Sequence, residues 1–105
     1  MQLWQSANQH ERLQWDVISR VFRNDQYLMG FFFDPNKPRA RLAPVELLRE
    51  ARDLSSGEEL LVKVALDIWS GAGNAKIWQL IERLDESNFC AVLEALAYLR
   101  ILANN

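Results

Sequence analysis

Residues 54–73, LSSGEELLVKVALDIWSGAG, hold a helix start, an almost wholly apolar body and a glycine stop. Ser55 and Ser56 can each accept a hydrogen bond from the orphan N–H groups of a first turn, and Ser56 with Glu59 makes an S-x-x-E capping box. Glu58 and Glu59 sit at the positive end of the helix dipole. Beyond them Leu60, Leu61, Val62, Val64, Ala65, Leu66, Ile68 and Trp69 cover most of the circumference. Only Glu59, Lys63, Asp67 and Ser70 form a strip that meets water. A helix apolar on nearly every side is enclosed by other elements or by lipid. This one is too short for lipid and carries charges where a span carries none. It is therefore read as the centre of a globular core, closed at Gly71 and Gly73 by the left-handed backbone of a C-terminal cap.

The flanking segments supply what encloses it. Ser6 and Gln9 form a possible capping box for a helix over about 7–23. Its Arg12, Asp16 and Arg20, four residues apart, read as a solvated ladder of weak ion pairs opposite Leu13, Val17, Ile18, Val21 and Phe22. Pro44 suits the first turn of a helix over 44–53, with Val45, Leu47, Leu48, Ala51 and Leu54 inward. The central helix covers 57–70. Asn74 can cap a helix over 75–84 whose inward stripe is Ile77, Leu80, Ile81 and Leu84, with Trp78 at its flank. Asp85 or Ser87 caps a last helix over 86–102, in which only Glu94 and Arg100 are charged past the first turn.

Between the first two helices lies QYLMGFFFDPNKPRARLAP. Its aromatic enrichment favours extended structure over 27–33, and Asp34–Pro35–Asn36 reads as a turn. Periodicity leaves strand and helix both open, so 27–42 is expected to hold a minor hairpin or an extra helical turn. The fold expected for 1–105 is a single all-α domain, a bundle of about five helices around the central apolar one.

Composition narrows the chemistry. The net charge of −2 gives no overall attraction for nucleic acid or an anionic membrane, and residues 54–105 carry seven acidic against four basic side chains. The single cysteine, Cys90, rules out an intrachain disulfide and points to the cytoplasm. LSSGE and GAGNA contain glycines of the kind found in phosphate-binding turns. No G-x-x-x-x-G-K-[ST] occurs, though, and the segment before GAGNA is helical where a dinucleotide fingerprint needs a strand. His10 and Cys90 are the sole imidazole and thiol, and no metal set, cofactor motif or nucleophile–base pair can be assembled from them. No enzymatic activity is expected.

Two non-catalytic functions remain. The favoured one is a small interaction or regulatory module, self-associating or binding a protein partner. Its candidate residues are the apolar run Phe31, Phe32 and Phe33, the neighbouring cations Lys37, Arg39 and Arg41, and Tyr98 on the unusually apolar last helix. The competing one is nucleic-acid binding through a helix-turn-helix-like core formed by the last three helices, assisted by the basic loop at 37–41. Against it, the helix that would read DNA opens with Asp85 and Glu86, which a polyanion repels.

Overall fold

Capping chemistry sets the ends of the central helix, though one residue earlier than the first spacing predicts. In the computed structural model, which describes residues 9–104, Ser55 is the N-cap with extended backbone, so Ser56 is already helical. The Glu58 N–H donates to Ser55 Oγ and the Ser55 N–H donates to Glu58 Oε1, each at 3.2 Å. The described residues form six helices and no strand: α1 (Gln9–Val21), α2 (Tyr27–Phe32), α3 (Pro44–Ala51), α4 (Ser56–Ser70), α5 (Ile77–Arg83) and α6 (Glu86–Ala103). The chain is thus an all-α helical bundle. Ser6 of the possible α1 capping box lies outside the described residues, as do Leu3 and Trp4.

The end of α4 is more elaborate than a glycine stop. Gly71 takes the left-handed conformation (φ 74°) and its N–H donates to the Asp67 carbonyl. Gly73 is glycine for another reason: a Cβ there would lie 1.8 Å from the Lys63 carbonyl oxygen, so the loop passes against the helix backbone. Asp67 is not part of a solvated strip. Its Oδ1 accepts from the N–H groups of Gly73 and Asn74, both at 2.9 Å, and its Oδ2 from that of Ala75 at 2.8 Å. Asn74, at φ 55°, is a left-handed loop residue and caps nothing; α5 starts after Lys76.

Of the two conformations left open for 27–33, the structure has the helical one, against the extended backbone that its aromatic content favours. Leu28, Phe31 and Phe32 stand at i, i+3 and i+4, and all three are buried, so the aromatic run meets the core with helical rather than alternating spacing. A vestigial hairpin follows it: Phe33 and Ala40 form an isolated antiparallel bridge. The turn at Asp34–Asn36 is closed by the Asn36 N–H donating to Asp34 Oδ1 at 2.7 Å.

Helices α1, α2, α3 and α5 all pack on α4, and α6 runs antiparallel along α1. That pairing uses the α1 face expected to be solvated. Tyr98 lies over Arg20 and donates from its hydroxyl to Asp16 Oδ2 at 2.7 Å, while Arg23 pairs with Glu94. The buried amide of Gln14 donates to the carbonyl of Trp69 at 2.8 Å, tying the start of α1 to the end of α4.

Candidate interaction surface

The three phenylalanines at 31–33 are core side chains, which corrects their assignment to a contact surface. Phe32 sits against Phe22, Phe33 and Trp69, and Phe33 also meets Trp15, with ring centroids between 4.9 and 6.2 Å apart. None is more than 9% exposed. The Phe32 and Phe33 rings are enclosed by this packing, and Phe31 shows only a small edge at the surface.

The basic loop is largely neutralised within the chain. Arg39 Nε donates to Glu11 Oε2 at 2.6 Å. Arg41 Nε donates to the Phe31 carbonyl and its Nη2 to Glu50 Oε1, both at 2.8 Å, with the guanidinium 5.3 Å from the Phe31 ring centroid. Lys37 is exposed at the turn. Arg41 also lines a shallow cleft with Tyr27, Gly30, Phe31, Glu50, Asp53 and Leu54, where two carboxylates face the single cation. Such a loop offers little positive field to a nucleic-acid backbone.

Tyr98 is half-buried in the α1–α6 seam and engaged by Asp16 and Arg20. Its hydrogen bond to the Asp16 carboxylate, with desolvation and the same negative charge, holds the phenol above its ordinary pKa. A second perturbed pair lies where α2 approaches the start of α4. Desolvation and the nearby Glu58 carboxylate raise Asp25, against the pull of the Leu28 and Tyr27 N–H groups. Glu58 is lowered by its hydrogen bonds to Asp25 and Ser55. Both sites are ion-pair or capping arrangements, with no nucleophile beside them. Cys90 is free and exposed, and among the described residues no cluster of His, Cys, Asp or Glu has the makings of a metal site.

The feature the sequence reading placed wrongly is α5. Of its expected inward stripe Ile77, Leu80, Ile81 and Leu84, only Leu80 is buried; Ile77 is 75% exposed and Ile81 52%. Asp67 and Gly73 hold the preceding loop so that α5, only seven residues long, touches α4 along one edge. Because α6 packs chiefly on α1, a gap opens between α5 and α6. It is a largely apolar groove of about 330 Å³, walled by Val64, Ile68, Ala75, Ile77, Leu80, Val92, Leu96 and Leu99, with Asp67 as its single charged lining residue. On the same two helices Trp78 (66%) and Leu93 (49%) are exposed, and Leu96 of the groove wall is 40% exposed. The stripe continues along the outer side of α6 through Ala97 and Ile101, both exposed.

Six of the eight large apolar side chains exposed among the described residues belong to α5 and α6, so the surplus is gathered on one side of the bundle. The sequence signal was present in part: α6 is too apolar for a lone surface helix, and α5 is apolar over more than half its circumference. Spacing identifies such stripes but does not say which of two apolar flanks meets the core. No family model matches the chain, and neither a curated protein nor a solved structure does.

Proposed function

We propose that the domain is a non-catalytic interaction module of the cytoplasm that associates with itself through the α5–α6 face. The observation that carries this reading is that Ile77, Trp78, Ile81, Leu93 and Leu96, all exposed, belong to the two helices that border one groove, with Ile77 and Leu96 in its wall, while the aromatic segment 31–33 is enclosed. Monomers rarely expose a contiguous apolar patch beyond about 300–600 Å² unless it binds something. These five side chains together expose on the order of 600 Å², before the groove walls are included. A free, exposed thiol at Cys90 suits a reducing compartment.

The test is the molecular mass in solution as a function of concentration, by sedimentation or light scattering. The wild-type chain is expected to move from monomer to dimer as concentration rises. Leu93→Glu, which puts a charge on the exposed face without disturbing the core, is expected to weaken the dimer at least tenfold with an unchanged helical spectrum. Equal masses for the two at every concentration would remove the reading.

A further inference from the structure

Resting on that reading, we infer that the occupant of the groove is Trp78 of a second copy of the chain, and that each copy's indole fills the other's groove about a two-fold axis. A closed two-fold contact places the same patch on both sides, so every protrusion must find its hollow within that patch. The α5–α6 face contains one of each. The groove of about 330 Å³ is at the small end of the ~300–1,000 Å³ range for pockets, a size that suits a single large side chain. Trp78, 66% exposed, is next in sequence to the groove-lining Ile77, is not itself part of its own groove's wall, and is the largest side chain exposed on either helix.

Area favours the same occupant. A small molecule or a short peptide confined to the groove leaves Trp78 and Ile81 in water, whereas a second copy covers them. On the order of 600 Å² from each copy gives a total of about 1,200 Å², the lower edge of specific protein interfaces, and contact along Ala97 and Ile101 adds to it. Charge opposes the approach only slightly. The exposed Lys76, Arg83 and Arg100 stand against Glu82, Asp85, Glu86 and Glu94, so this side carries a net charge of only −1 per copy, a weak repulsion at physiological salt. Tryptophan at the centre of an apolar, desolvated contact is the commonest kind of binding hot spot.

A complementation experiment by sedimentation tests the inference. Trp78→Ala removes the protrusion and Leu96→Trp fills the groove; should the latter not fold, Ala75→Leu fills it from the opposite wall. Each variant alone is expected to dimerise at least tenfold more weakly than wild type, because the first has an open groove but no indole to insert and the second has the indole but no open groove. An equimolar mixture is expected to recover a heterodimer, in which the intact Trp78 of the filled variant enters the open groove of the other. If both variants are weak and the mixture recovers nothing, reciprocal insertion is overturned. A dimer weakened by Leu93→Glu but untouched by Trp78→Ala also overturns it while leaving self-association standing. A wild-type monomer up to ~1 mM overturns both.

Discussion

Asp67 is the residue whose role departs furthest from its pattern. One carboxylate collects three backbone N–H groups of the 71–75 loop. Hydrogen bonds to a charged group are worth about 1.5–3 kcal/mol each at best, and these share one acceptor. Asp67→Ala is therefore expected to destabilise by about 2–3 kcal/mol in a chemical melt. Asp67→Asn is expected to cost roughly half of that, since its amide nitrogen cannot accept from Ala75. Helical spacing put Asp67 on a wet strip because spacing knows only the helix it belongs to; the acceptor role depends on a loop that returns over the helix. Asp25 and Glu58 make the matching electrostatic case. Asp25 is raised above its ordinary 3.8, so it opposes folding as pH climbs from 3.8 through its raised value. Glu58 is lowered below its ordinary 4.5, so it supports folding above 4.5 and that support fades as pH falls through its lowered value. Asp25→Asn removes the opposing carboxylate and keeps an acceptor for the α2 N–H groups. Its melting temperature is expected to match or exceed that of wild type at pH 7, with the difference closing below pH 3.8.

At the level of elements, α4 behaves as the hub that its apolar circumference requires, with four other helices resting on it. Leu66 is fully buried, and Leu66→Ala is expected to cost about 3 kcal/mol through the cavity it leaves, read as a shift in the denaturant midpoint. Lys63→Ala, at a partly exposed position, is expected to stay within roughly 0.5 kcal/mol. The reverse order would deny α4 its central place. Helices α3, α4 and α6 were legible because each combines an apolar stripe with a proline start or a side-chain cap, and α1 because its apolar stripe is long. The short α2 was not. Six residues with three aromatic neighbours satisfy strand and helix preferences alike, and only the burial of Leu28, Phe31 and Phe32 together decides between them. The orientation of α5 was illegible for a related reason: its stripe is real, but the loop that Asp67 and Gly73 fasten turns that stripe partly outward.

For the whole molecule, the distribution of apolar surface matters more than its amount. The core is filled by α1, α2 and α4 with contributions from α3 and α6, and the remaining large apolar side chains collect mainly along α5 and the outer flank of α6. Composition alone, half apolar and near neutral, is that of an ordinary globular domain and contains no hint of that asymmetry. The pairing of α1 with α6 has a temporal consequence. Asp16 meets Tyr98 and Arg23 meets Glu94 across 82 and 71 residues of chain. At about 5–20 residues per second of translation, α1 emerges roughly 4–16 seconds before its partner is made. Through that interval the shelter of Val17, Ile18 and Val21 is incomplete, resting on docking against α4 once that helix is made, until α6 arrives and closes the bundle.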